Sequence, residues 1–447
     1  MFRKRKIYLD YASMTPVDKK VVNLVHEVSK KATDNPNAIH SGGVFARSIV
    51  EDARKSVAKS INAQSDEIFF LGSGTESDAL AILGVVRNLN KKDFLPHIVT
   101  TNIEHSAVLE NCRLLEERSE AEVTYVNVEE NGIVDPKKIR EAIKGNTVLV
   151  SVMYANNEIG TIQPIREIAK EIRHYKKHNG NMHELFALYP QAGSDATHNS
   201  CIFPLLHTDA AQAMNYLDTD NVDRLGVDMM SFNSTKIYGP KGVAVLYKKR
   251  GIELSPLYAG GGQEGGLRSG TENVAAIAGM ALALKNTNRI KDIEYSRLTK
   301  LRDYAIGEIL RLSEKSGYKI ILNGDIENRL PNNINITVEG ISSELLVIEL
   351  DAKGVAVSER SACSADSDDG SHVIRAIRNV DEKNLQNSLK ISPALPASGL
   401  RHGSKFSNNF SDLDSVRITL GRETKKSDLD YLISTLENIL NKYKSWK

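Results

Sequence analysis

Through its first two thirds the sequence alternates short apolar runs with helix-like segments, and this alternation restricts the fold more than any other feature. Apolar runs occur at Glu67–Leu71, His97–Thr101, Val123–Val128, Thr147–Met153, Ile202–Leu206, Asp228–Phe232 and Gly242–Tyr247. Most are separated by stretches of helical character. Parallel strands need long crossover connections, so the pattern predicts an α/β fold with a mostly parallel sheet and helices on both faces. Near the start, Thr15-Pro16-Val17-Asp18 reads as a helix entry, with a hydroxyl cap, proline at the first helical position and an acid in the first turn. Val17, Val21, Leu24, Val25 and Val28 then share one face. A second helix over Val44–Ser60 turns Ile49, Val50, Ala53 and Val57 inward.

After Asn286 the pattern changes. A polar helix leads to shorter strands at Lys319–Leu322, Asn333–Val338, Val355–Ser358 and Ser415–Leu420, with a helix at Ser342–Asp351. A terminal amphipathic helix carries Leu429, Leu432, Ile433, Leu436, Ile439 and Leu440. This predicts a large domain over 15–286 and a smaller α+β domain formed by 1–14 and 287–447. Two polar, irregular segments read as surface insertions, at 181–200 and 381–414. The 447 residues suffice for two cores. A net charge of +1 implies no bulk attraction to nucleic acid or to anionic membrane. No apolar run follows the basic start to make a secretory signal, and none is long enough to span a bilayer. The 3 cysteines, Cys112, Cys201 and Cys363, lack metal-type spacing and suit a reducing, cytoplasmic compartment.

Ligands of an open parallel sheet bind beyond the carboxyl ends of its strands. Polar clusters fall there five times: Ser73–Ser77, Glu104–Ser106, Asn156–Gly160, His207–Gln212 and Asn233–Lys236. Their chemistry suits pyridoxal phosphate. Lys236 offers an amine to the aldehyde, and Asp209 a carboxylate to the pyridine nitrogen. His105 can stack on the ring and move protons. Gly74 and Thr75 open a helix whose N–H groups face a phosphate, and Gln212 can donate to the ring hydroxyl oxygen. Taken singly, Lys236 would be a solvated lysine, Asp209 a helix cap, His105 a packed histidine and Asn157 a turn residue. Their complementary roles and order argue for one site.

That order resembles the group I cysteine desulfurases of the class V aminotransferase-like family. The resemblance runs from Tyr8-Leu9-Asp10-Tyr11-Ala12 to Val416–Arg422 and spares only the two insertions. Its most specific pieces are Gly74–Ser77, Thr101–His105, Asn156–Gly160, His207–Gln212, Lys236–Gly242, Gly260–Thr271 and Ser358–Ser364. It implies a fold type I, PLP-dependent homodimer acting on L-cysteine. Lys236 would bond the cofactor, Asp209 would pair with its ring nitrogen, Gln212 would contact the ring hydroxyl, and His105 would stack as acid/base. Thr75, Asn233 and Thr235 fall at phosphate-binding positions, and Thr271 at the residue that reaches the neighbouring subunit's phosphate. Asn157 and Arg417 fall where the substrate carboxylate binds, and Cys363, in a polar loop over 358–372, falls at the persulfide-forming cysteine. Asn233-Ser234-Thr235-Lys236 departs from the more usual Ser-Gly-His-Lys, leaving Thr235 one hydrogen bond to give. Cys112, in a helical stretch, and Cys201, at a strand edge, read as structural. Sulfur acceptors implied by the resemblance are an iron–sulfur scaffold or a tRNA-thiolation enzyme.

Overall fold

The computed structural model describes residues 6–89, 94–178, 203–359, 370–378 and 413–444. The expected insertion over 181–200, Cys201, Cys363 and nearly all of the expected insertion over 381–414 lie outside them.

The strands are β1 (Ile7–Tyr8), β2 (Ile68–Leu71), β3 (His97–Thr101), β4 (Glu122–Val126), β5 (Thr147–Ser151), β6 (Leu205–Asp209), β7 (Met229–Asn233), β8 (Ala244–Lys248), β9 (Ile320–Leu322), β10 (Asn333–Val338), β11 (Val355–Ala356) and β12 (Val416–Thr419). Seven of them form the main sheet in the order β2-β8-β7-β6-β5-β3-β4. Strands β4, β3, β5, β6 and β7 are parallel, whereas β8 is antiparallel to both neighbours. Strand β2 therefore points the same way as β7, and the carboxyl ends of β2, β3, β5, β6 and β7 share one edge.

Each central strand buries alternate residues in opposite cores, as the two-residue side-chain period requires. Val99, Val150, Leu206, Met230 and Val245 face one core, and Ile98, Leu149, Leu205, Met229 and Leu246 the other. The first core takes up helices α1 (Lys19–Lys31) and α2 (Ser41–Ser60). The second takes up α3 (Gly74–Leu89) and α4 (Ser106–Glu117), including Cys112. Helices α5 (Pro136–Ala142), α6 (Ile165–His178) and α7 (Val222–Leu225) also cover the first face.

Helix α8 (Val274–Ser316) runs 43 residues without a break, about 65 Å at 1.5 Å per residue. It passes through the expected boundary at 286/287 and carries the chain from the large sheet to the antiparallel sheet β12-β10-β9. The expected polar helix after Asn286 is its second half, where burial narrows to a stripe including Leu298, Ala305, Ile309 and Leu312. Helices α9 (Ser343–Ala352), α10 (His372–Ile377) and α11 (Lys426–Lys444) complete this part. The amino-terminal strand belongs with it, since β1 pairs in parallel with β11 and Thr419 N–H donates to Leu9 O at 2.7 Å.

Two local readings change. The first helix begins at Lys19, and its cap is Asp18, whose carboxylate accepts from Lys20 N–H at 2.8 Å. Thr15, read as the cap, is spent across the chain: its hydroxyl donates to Thr235 O at 2.9 Å and accepts from Tyr238 N–H at 2.8 Å. The strand expected over Ile202–Leu206 instead reaches Asp209, so His207, Thr208 and Asp209 lie in β6 rather than after it. An apolarity pattern misses this extension because the strand is polar there and still buried. His207 bridges Ser151 and Ser231 hydroxyls, each at 2.9 Å, and burial holds its imidazole neutral, down to about 3.

Candidate active site

Where the five strand ends meet, a cavity of about 220 Å³ opens. Lys236, Asp209, Gln212, His105, Gly74, Thr75, Asn157, Asn233, Thr235 and Arg417 all line it, although they span more than three hundred residues of chain. Thr271 does not: it is exposed and outside its own chain's cavity. Asp10, Ser13 and Asp78, which sequence reading did not single out, stand at or in the site. Asp10 was visible only as part of Tyr8–Ala12, and Asp78 one residue beyond the Gly74–Ser77 motif.

Lys236 ends a single 3₁₀ turn directly after β7. Its Nζ donates to Ser13 O at 2.6 Å, and Asn215 Nδ2 donates to its carbonyl. The next residue but one, Tyr238, adopts a left-handed backbone (φ 64°) that only Gly, Asn and Asp take readily. Thr15 Oγ1 and the Asp18 amide grip it on both sides. The chain thus turns sharply behind the lysine and presents its amine to the cavity.

Asp209 closes β6, with Oδ1 accepting from Ala211 N–H at 2.8 Å. Burial pushes its carboxyl up, and the Ala211 N–H and the Lys236 charge oppose that. Asp78, on α3, is 2% exposed, and its Oδ1 has no hydrogen-bond partner. Burial, reinforced by the Asp209 charge, drives Asp78 well above the carboxylate range. His105 caps α4, and its Nδ1 accepts from Ala107 N–H at 3.1 Å. The neutral ring therefore carries its proton on Nε2. Gln212 Nε2 donates to Ala12 O at 3.0 Å.

The first turn of α3 supplies Gly74 and Thr75, with Asn233 packed behind them. A Cβ on Gly74 would lie 2.7 Å from Asn233 Nδ2, so any larger residue there displaces the Asn233 amide. Asn233 Oδ1 accepts from Thr235 Oγ1 at 3.0 Å, which links the two expected phosphate residues. Glu76 would repel an anion at this helix end, but Arg268 at 3.1 Å and Tyr258 at 2.7 Å hold its carboxylate. The Gly260–Thr271 segment that carries Arg268 is itself pinned by Glu264, which pairs with Arg54 through two 2.8 Å contacts and accepts from Phe70 N–H.

Arg417, on β12, is 1% exposed. Its Nη1 donates to Asn157 O at 3.0 Å, its Nη2 to Asp10 and Ser13, and its Nε has no partner. The chain that returns after the Cys363 segment is anchored close by. Ser371 Oγ donates to Glu158 Oε2 at 2.6 Å, and His372 Nε2 bonds Glu104 O at 3.0 Å.

The donor set fits pyridoxal phosphate. It comprises an amine, a buried carboxyl, an imidazole, an amide donor, and a glycine-lined helix end with hydroxyls beside it. Arg417 adds a guanidinium at the cavity wall, with Nε unpaired.

Comparison with known proteins gives the family. The chain matches the aminotransferase class-V family over residues 7–179 and 192–432, and it belongs to that family. Family members use pyridoxal phosphate. The chain falls in the branch named for cysteine desulfurase. It is 40% identical to "Cysteine desulfurase IscS" of Dictyoglomus turgidum, over 99% of this chain and 96% of the relative. Identity to "Cysteine desulfurase IscS 1" of Archaeoglobus fulgidus is 35%, over 98% of each. Among solved structures, a "NIFS-LIKE PROTEIN" superposes with TM-score 0.78 at 29% identity, covering 98% of this chain and 99% of that one. "SspA in complex with cysteine" superposes with TM-score 0.67 at 28% identity, covering 93% and 99%. Among the described residues no helix is long and apolar enough to cross a membrane.

Proposed function

We propose that the chain is a pyridoxal-phosphate-dependent cysteine desulfurase that converts L-cysteine to L-alanine and leaves the sulfur as a persulfide on Cys363. The observation that carries this reading is that the Lys236 amine, the Asp209 carboxyl, the His105 imidazole and the Arg417 guanidinium open into one cavity. When bound, the cofactor supplies an electron sink that weakens bonds at the substrate's Cα and Cβ. Lys236 holds its aldehyde, Asp209 its ring nitrogen and Gln212 its ring hydroxyl. Gly74, Thr75, Asn233 and Thr235 hold its phosphate. Thr271, exposed on its own chain, serves the neighbouring subunit's phosphate in a homodimer. Asn157 and Arg417 orient the substrate carboxylate. His105, with Nδ1 committed to the Ala107 amide, moves protons through Nε2.

Sulfur transfer belongs to Cys363. Its thiolate forms an S–S bond to the substrate sulfur and the substrate Cβ–S bond breaks. The electron pair stays on Cβ, which takes up a proton, and L-alanine leaves. The persulfide then passes to an acceptor protein, an iron–sulfur scaffold or a tRNA-thiolation enzyme, in the cytoplasm. Residues 15–286 form the cofactor-holding part, and 1–14 with 287–447 the part that brings Arg417 and Cys363 to it.

The test is incubation of purified protein with pyridoxal phosphate, L-cysteine and a reductant, with sulfide and alanine assayed together. Equal yields of both support the reading. Lys236→Ala abolishes them and also the visible absorbance of the lysine-bound cofactor. Persistence of that band, trapped by borohydride on another lysine, rules the assignment out.

A further inference from the structure

The amino-terminal segment 10–15 bonds Gln212, Thr235, Lys236 and Arg417 while contributing little of the chemistry assigned above. Tyr8 OH closes it as a loop, bonding Asp10 O at 2.9 Å and Met14 O at 2.8 Å. Ala12 N–H donates to Thr419 Oγ1 at 2.9 Å, which ties the loop to the strand that carries Arg417. Ala12 O receives Gln212 and Ser13 O receives Lys236 Nζ, at 3.0 and 2.6 Å.

The side chains of the same loop hold Arg417. Asp10 Oδ1 takes one Nη2 contact at 3.0 Å and Ser13 Oγ the other at 2.6 Å, and Ser13 Oγ in turn donates to Asp10 Oδ1 at 2.9 Å. With Asn157 O on Nη1, the planar guanidinium is held from two of its three nitrogens. Nε remains buried and without a partner. A buried donor left unpaired is costly, and the Arg417 side chain lines the cavity, so its guanidinium keeps capacity for an acceptor there.

We propose that Asp10 and Ser13 are positioning residues for substrate recognition: they lock the Arg417 guanidinium at the cavity wall so that it meets the substrate α-carboxylate. Ser13 also sets where that carboxylate lies relative to the Lys236 amine, because one residue holds both groups. The inference rests on the desulfurase reading for the identity of the ligand, an α-amino acid.

The test uses cofactor-loaded wild type, Asp10→Asn and Ser13→Ala, with two constants measured by titration: dissociation of L-alanine and dissociation of pyridoxal phosphate. Loss of one charge-assisted contact on Arg417 weakens L-alanine about tenfold in each variant. The cofactor constant stays within about twofold, since neither side chain contacts the groups assigned to it. In turnover with L-cysteine the loss falls on KM rather than kcat. The proposal is overturned by L-alanine affinity unchanged in both variants, by tighter binding in Asp10→Asn (which would make Asp10 a competitor of the substrate), or by an equal loss of cofactor affinity. The two readings fail separately: a wild type that yields neither sulfide nor alanine defeats the desulfurase assignment, whereas the L-alanine titration reads the Arg417 clamp with no sulfur chemistry involved.

Discussion

Gly74 and Asn233 approach so closely that a Cβ on the glycine would stand 2.7 Å from the asparagine amide nitrogen. They come from two elements, the first turn of α3 and the end of β7, and their contact shapes the corner assigned to the phosphate. Gly74→Ala forces Asn233 aside and with it Thr235, its hydrogen-bond partner. Cofactor affinity drops about tenfold or more, the cost of one to two displaced hydrogen bonds, while the fold persists. Fluorescence titration of cofactor-free protein with pyridoxal phosphate measures this, and affinity equal to wild type would remove Gly74 from the phosphate corner.

Cys363 separates sulfur transfer from cofactor binding. Cys363→Ala retains the absorbance of the lysine-bound cofactor, releases almost no alanine and keeps no protein-bound sulfur. Cys112 is fully buried in α4, and burial pushes its thiol up, away from thiolate formation. Cys112→Ala therefore keeps most activity and loses at most about 1 kcal/mol of stability. Mass spectrometry of cysteine-treated enzyme locates the added sulfur, and sulfur mapped to Cys112 or Cys201 contradicts the mechanism.

Glu104 makes stability depend on pH. It is fully buried, accepting from Thr101 Oγ1 at 2.6 Å and from Met153 N–H at 2.9 Å. Burial outweighs those donors and raises its carboxyl from 4.5 to about 8. The folded state thus keeps a proton that the unfolded chain releases above 4.5. Glu104's contribution is complete below 4.5 and is lost as pH climbs toward and through 8. Glu104→Gln removes it, so the drop in urea midpoint between pH 5 and pH 8 is smaller in the variant. Identical drops in both proteins would show that Glu104 does not titrate this way.

Residues 381–412 are dispensable for the chemistry. The chain leaves the described structure after Arg378, just past α10, and is back at Leu413, where Ser371 N–H meets Leu413 O at 3.4 Å. The two ends are thus separated by little more than the six-residue helix α10. Leu413 is buried, and Asp414 O accepts from Thr337 Oγ1 at 2.8 Å, which ties the returning chain to the small sheet. A short Gly/Ser linker in place of 381–412 closes a small loop at low entropic cost. The variant still makes alanine from cysteine. A variant that folds and binds cofactor yet makes none would put the segment in the active site.

Strand positions were most legible where burial and apolarity coincide. His97–Thr101 and Asn333–Val338 begin and end where their patterns do. Legibility failed at β6, because the pairing of His207 with Ser151 and Ser231 is a contact among three strands and has no local signature. Thr15 failed for the same reason: its sequence neighbours offer it a helix to cap, but Thr235 and Tyr238, more than two hundred residues away, are its partners.

The chemistry of Lys236, Asp209, His105 and Arg417 was open to reading from sequence because each functional group is intrinsic to its side chain. The places after strands, or at their ends, follow from the order of elements. What the tertiary structure alone decided is how those groups are held. Asp78 is held above the carboxylate range by burial beside Asp209, Ser13 joins Lys236 to Arg417 only because the amino-terminal loop reaches both, and Arg417 Nε is left without a partner among the residues packed around it. Residue type sets what a side chain can donate, accept or ionise. Burial and the partners brought by distant segments decide which of those capacities remains available to a ligand.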